Sequence, residues 1–127
     1  MKILIDTHIF LWAIMGDPRL SGSRQEIFLD ESNQLYLSIG SIWEMVIKIN
    51  LGKVTMPLPA IGYIMKQMEK NHIFPLAIHV SHLAELEGLP PLHRDPFDRI
   101  LVAQARAEKM WLLSADAQVH KYDVSFL

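Results

Sequence analysis

Four carboxylates, Asp6, Glu44, Asp98 and Asp116, stand where apolar segments end or helical ones begin. Asp6 closes Ile3-Leu4-Ile5, Asp98 opens the run Arg99-Ile100-Leu101-Val102-Ala103, and Asp116 follows Met110-Trp111-Leu112-Leu113. A carboxylate beside a core is costly unless it is paired or binds a cation. Brought together, the four would form a hard, oxygen-only site suited to Mg²⁺ or Mn²⁺. Such a site points to phosphodiester chemistry.

The elements that must position these groups can be read from the apolar pattern. Residues 2–6 read as a buried strand, followed by a helix through Ile9–Met15 with Thr7 as its cap. Ser23-x-x-Glu26 has the form of a capping box for a second helix, Ser23 to Glu31. A strand is expected over Gln34–Ser38 and a helix over Ser41–Leu51, ended by Gly52. A helix over Ala60–Lys70 leads to a strand over Ile73–Ile78, whose start Pro75 makes irregular, and a short helix covers Ser81–Leu86. The best-defined helix has Asp95 as N-cap, Pro96 at its first position and Phe97 to Lys109 as its body. Trp111–Ser114 reads as a fourth strand and Val124–Leu127 as an edge fifth.

Strands alternating with helices imply an α/β fold with a mainly parallel sheet of about four to five short strands. The strands are continuous apolar runs, as expected when both faces of the sheet are covered. Open parallel sheets bind ligands beyond the carboxyl ends of their strands. Asp6 and Asp116 lie at two such ends, and Asp98 and Glu44 lie in the first turns of helices on the same side. Topology therefore gathers the four on one rim. Three of them also have a plainer explanation, and Asp6, after a run that should be central, is harder to dismiss. Ser41-x-x-Glu44 fits a capping box. Asp98, early in its helix, gains from the macrodipole. Asp116 could begin a turn. Asp95 is read as a cap and not as a metal ligand.

The chain has 127 residues, 50% of them hydrophobic and 20% charged, which fits one globular domain over residues 1–127. With no cysteine, disulfides and thiolate metal sites are excluded. No apolar run reaches the roughly 18 residues of a membrane helix, and Asp6 breaks the stretch a signal peptide needs, so a cytoplasmic location is expected. The net charge of −2 lacks the basic surplus common in nucleic-acid binders, so cations would have to gather on one face.

The motifs Ile5-Asp6-Thr7-His8, Ser41-Ile42-Trp43-Glu44-Met45-Val46-Ile47-Lys48, His93-Arg94-Asp95-Pro96-Phe97-Asp98-Arg99-Ile100-Leu101-Val102-Ala103-Gln104-Ala105 and Leu112-Leu113-Ser114-Ala115-Asp116 occur in this order. Over nearly its whole length the chain resembles a PIN domain, and more narrowly a VapC-type toxin nuclease of a toxin–antitoxin pair. The resemblance implies a three-layer α/β/α sandwich and a Mg²⁺- or Mn²⁺-dependent endoribonuclease. It also implies a homodimer, and an antitoxin whose tail fills the active-site groove. The family's acidic quartet falls on Asp6, Glu44, Asp98 and Asp116, with Asp6 and Asp98 expected as inner metal ligands. Thr7, Asp95 and Ser114 are supporting candidates, Ser114 standing where related sequences commonly have threonine. Lys48, Arg94 and Arg99 are candidate contacts for RNA phosphates.

Three other readings compete. An aspartate-nucleophile phosphatase wants a second acid two residues after the first, where this chain has His8. A receiver-like Mg²⁺ module needs paired acids after its first strand, and only Asp6 is present. A PIN nuclease of RNA processing, outside any toxin pair, shares all these motifs. His79-x-x-His82 lacks a third ligand at zinc spacing, and His8 and His93 lie near the rim. The helices at Ile9–Met15 and Ile42–Leu51 are apolar nearly all round, which suits a core or a partner interface.

Overall fold

The structure, a computed structural model, describes residues 1–127. Its strands are β1 (Lys2–Ile5), β2 (Gln34–Ser38), β3 (Ile73–Leu76) and β4 (Trp111–Leu113). All pairings are parallel, in the order β3-β2-β1-β4. The helices are α1 (Thr7–Met15), α2 (Gly22–Leu29), α3 (Ile39–Asn50), α4 (Ala60–Lys70), α5 (Val80–Glu87) and α6 (Pro96–Glu108).

Strand side chains alternate between faces, so the sheet carries two cores. Ile3, Ile5, Leu35 and Leu37 point to one side, where they pack with Phe10 of α1, Met45 of α3 and Ile64 of α4. Leu4 and Leu112 point to the other, against Leu101, Val102 and Ala105 of α6. This is the expected three-layer PIN-like sandwich. Pro75, which has no N–H to offer a ladder, is tolerated because β3 is an edge strand.

The chain steps outward from β1 to β2 to β3, then crosses back to lay β4 on the other side of β1. The direction of winding therefore reverses between β1 and β4, and at such a reversal a crevice opens beyond the strand ends. Asp6 and Asp116 lie at the mouth of that crevice.

Several local expectations are corrected. Asp6, not Thr7, caps α1, its Oδ1 accepting from the Ile9 N–H at 2.8 Å. Helix α3 follows β2 directly, with Ser38 as its cap accepting from Gly40 N–H. Ser41 is already inside the helix, and its buried hydroxyl has no partner. The capping-box explanation of Glu44 is thereby removed. Helix α2 begins at Gly22 after Ser21 and makes no side-chain cap bond, so Ser23-x-x-Glu26 is not a working box. Val124–Leu127 forms no full strand, because only Phe126 bridges to Leu112. Strand β3 stops at Leu76, short of the expected Ile78, and α5 starts at Val80.

Gly40 lets α3 approach α6 closely. A Cβ there would lie 3.3 Å from Ile100 Cγ2 and 3.3 Å from Ser38 Oγ. Gly40→Ala is expected to be nearly neutral, because the helix gain of roughly 0.5–1 kcal/mol offsets the crowding. Gly40→Val should cost about 1–3 kcal/mol by overpacking. Urea denaturation of both variants checks this; equal stability of the two would mean the packing there is slack.

Candidate active site

Asp6 is 3% exposed and Glu44 5% exposed, and both carboxylates are held by groups from other parts of the chain. The Asp6 carboxylate leaves the end of β1, where its own N–H donates to the Leu113 carbonyl of β4 at 3.1 Å. One Glu44 oxygen accepts from the Thr7 hydroxyl at 2.7 Å, and the other lies 2.9 Å from Lys48 Nζ, one turn along α3. Thr7, expected as a cap, is thus the link from α1 to α3. Both of its oxygens are thus engaged by the protein, so Thr7 and Lys48 together orient Glu44.

Asp98 sits in the first turn of α6, as the Asp-Pro start predicts. Asp95 Oδ1 accepts from the N–H groups of Phe97 and Asp98, confirming its capping role. Asp116 follows β4; its N–H donates to Ser114 Oγ at 3.1 Å, and its Oδ1 accepts from Gln118 N–H at 2.8 Å. Ser114 is fully buried and supports two acids, since its hydroxyl also favours the charged form of Asp6.

His93 lies between the carboxylates. Its Nε2 is 2.8 Å from Asp98 Oδ2 and 3.6 Å from Asp116 Oδ2. Single donor atoms of His93, Asp98 and Asp116 fall within 4.8 Å of one another. Asp6 and Glu44 stand outside this trio. They are coupled to it by charge, Asp6 to Asp116 and Glu44 to Asp98. The side chains brought within reach of one ion are therefore His93, Asp98 and Asp116. His93 is fixed from behind, its backbone N–H donating to the hydroxyl of buried Tyr122 at 2.9 Å. In the sequence, its place beside Asp-Pro-Phe-Asp hints at the rim, but its neighbours Asp116 and Tyr122 are remote along the chain.

Burial and like charge raise two of the carboxyls. Burial pushes the Asp98 carboxyl up to about 6, the negative charges of Asp95 and Glu44 push the same way, and His93 opposes them. Burial also raises Asp6, helped by the charge of Asp116 and resisted by Ser114, the Ile9 N–H and His8. This donor set fits a divalent ion: carboxylate oxygens predominate, two of them destabilised in the charged state, and a cation among them would reverse that penalty.

The cationic candidates separate. Lys48 pairs with Glu44, and Arg94 is exposed at the rim. Arg99 is turned away, its guanidinium donating to the Leu89 carbonyl at 3.3 Å and bracing the loop before α6. His82 is a core residue with its polar atoms satisfied, its Nε2 lying 2.8 Å from Glu108 between α5 and α6. No helix is long and apolar enough to cross a membrane.

Comparison with known proteins agrees with this fold. The family model described as PIN domain matches residues 3–125. A curated relative, Ribonuclease VapC16 of Mycobacterium tuberculosis, is 32% identical over 71 residues, which is 53% of this chain and 50% of that protein. The match thus spans half the length of that relative. Among solved structures, VapBC2 from Rickettsia felis, bound to a DNA fragment from its promoter, superposes with a TM-score of 0.71 at 13% identity. That match covers 100% of this chain and 98% of the other. VapBC-1 from nontypeable Haemophilus influenzae gives 0.69 at 16% identity, covering 100% and 97%. FitAcB from Neisseria gonorrhoeae gives 0.61 at 15%, covering 98% and 96%. At these identities the structural matches speak for the fold.

Proposed function

The chain belongs to the PIN-domain family, and from that premise we propose that it is a Mg²⁺- or Mn²⁺-dependent endoribonuclease, the toxin of a toxin–antitoxin pair. The observation that carries the reading is the meeting of Asp98 and Asp116 beside buried Asp6 at the reversal of the sheet. The name of the curated relative supports RNA as the substrate, and the VapBC likeness supports an antitoxin partner. The same reading makes the protein a cytoplasmic homodimer, for which the exposed Trp43 offers apolar surface.

Asp98, Asp116 and Asp6 would hold the metal. When bound, a divalent cation acidifies water and offsets charge on phosphoryl oxygens. Glu44, aimed by Thr7 and Lys48, is placed to orient the attacking water and accept its proton. The His93 Nε2–H donates to Asp98 and so holds that carboxylate in place at the rim. Buried Ser114 keeps Asp6 and Asp116 in fixed relation while charge develops.

The test is incubation of the purified protein with mixed RNA and single-stranded DNA in Mn²⁺, with and without EDTA. RNA should be cut internally, DNA spared, and cleavage abolished by EDTA. Cation binding without RNA cleavage would favour the regulatory Mg²⁺ module instead. Cleavage that survives EDTA would remove the metal from the reaction.

A further inference from the structure

Beside the acidic centre, α3 and the start of α6 enclose a groove of about 380 Å³. Glu44 lies at its inner end, so it is continuous with the site. The walls come from Leu51 and Phe97, and the outer rim carries Lys53 and Arg94. Helix α3 ends in a way that fixes this rim. Gly52 takes φ 74°, the left-handed conformation that favours glycine, and the Lys53 N–H turns back to the Lys48 carbonyl at 2.8 Å. The Gly52 N–H meets the Ile49 carbonyl at 3.0 Å, completing the paired bonds of a Schellman turn. Lys53 is thereby held against the groove and not left on a free loop.

The charges in the groove are unevenly satisfied. Glu44 is neutralised by Lys48, and Asp95 is occupied by its cap bonds. Neither Lys53 nor Arg94 takes part in any ion pair of the structure. Two unpaired cations over an apolar wall, in a chain of net charge −2, form a seat for a ligand that is both anionic and flat. Single-stranded nucleic acid has this chemistry, with phosphates for the cations and a base face for Phe97 and Leu51.

Resting on the endoribonuclease reading, we propose that this groove seats the RNA strand on one side of the scissile phosphate. Lys53 and Arg94 hold a flanking phosphate, and the adjoining base packs on the Leu51–Phe97 wall. The uncharged lining, Ile47, Leu51, Pro96 and Phe97, offers a base its face contacts and no hydrogen bonds.

The experiment measures binding of a short fluorescent single-stranded RNA to the Asp98→Asn protein, over a range of salt concentrations. Added to that background, Lys53→Gln and Arg94→Gln should each weaken binding several-fold. Each should also reduce the slope of log affinity against log salt by about 0.7 for every phosphate it no longer neutralises. Lys109→Gln, at the far end of α6, should change neither. RNA binding that is unaltered in both groove variants would overturn the proposal and leave the nuclease reading standing. If the Asp98→Asn protein does not bind RNA and the wild type does not cut it, both fall.

Discussion

Asp98→Asn is expected to abolish RNA cleavage while making the metal-free protein more stable at neutral pH. The two effects have one origin. In the fold, burial and the charges of Asp95 and Glu44 hold the Asp98 carboxyl at about 6, against an ordinary value of 3.8. Between those two values the folded protein binds the proton more tightly than the unfolded chain does. Stability therefore falls as pH rises through that window, and it stays at the lower level above pH 6. A neutral amide escapes the penalty. The shift sets a ceiling of roughly 3 kcal/mol at about 1.36 kcal/mol per unit. Weakening the hydrogen bond to His93 subtracts from it, leaving on the order of 1–2 kcal/mol. For a domain of this size that corresponds to a rise of roughly 4–8 °C in Tm. Activity should fall by at least about 10²–10³-fold, the scale seen when one preorganised electrostatic group is removed. Thermal denaturation in chelator at pH 7.5 and pH 4.5 reads the first effect, with the gain present at 7.5 and nearly absent at 4.5. Added Mn²⁺ should raise the Tm of the wild type but not that of the variant. A variant less stable at pH 7.5, or one that turns over normally, would contradict the assignment.

Asp6 carries two duties, which a pair of substitutions should separate. Its Oδ1 caps α1 through the Ile9 N–H, while the carboxylate as a whole faces the charge of Asp116. Asparagine caps a helix about as well as aspartate, and alanine does not. Asp6→Asn should therefore keep or raise stability, because a buried charge is removed and the cap stays. Asp6→Ala should cost about 1 kcal/mol relative to Asp6→Asn. Both should lose cleavage to the same extent, by about 10²-fold or more. Full turnover in Asp6→Asn would reduce Asp6 to a helix cap. Chemical denaturation and single-turnover cleavage on the two proteins settle the question.

The sheet and the rim are legible in the sequence because both depend on local pattern. Ile3-Leu4-Ile5 and Leu112-Leu113 are apolar runs with a polar stop, and Asp95-Pro96 marks a helix start without ambiguity. Parallel topology then places strand ends together. Local pattern fails where two residues could fill one role. Ser38 and Ser41 both suit a cap, and only the absence of a loop between β2 and α3 selects Ser38. Asp6 and Thr7 are likewise both good caps. Asp6 takes the position because Thr7 is drawn to Glu44, a bond between residues remote in the chain. His93 and Lys53 are less legible for related reasons. The neighbours of His93 come from α6 and from beyond β4, and Lys53 reaches the groove only through the turn at Gly52. Arg99, beside Asp98 in sequence, faces away because successive helical positions point about 100° apart.

The sheet order has a bearing on when the carboxylate cluster can form. β1 is made early, but one of its two neighbours, β4, is the last strand to be synthesised. Until β4 docks, Asp6 has no Leu113 carbonyl to fix its backbone and no Asp116 beside it. Asp98 is likewise made after β3, on the helix that leads into β4. β1, β2 and β3 therefore all precede in the chain the segments that carry Asp98 and Asp116, so the carboxylate cluster assembles only after the other three strands have been made.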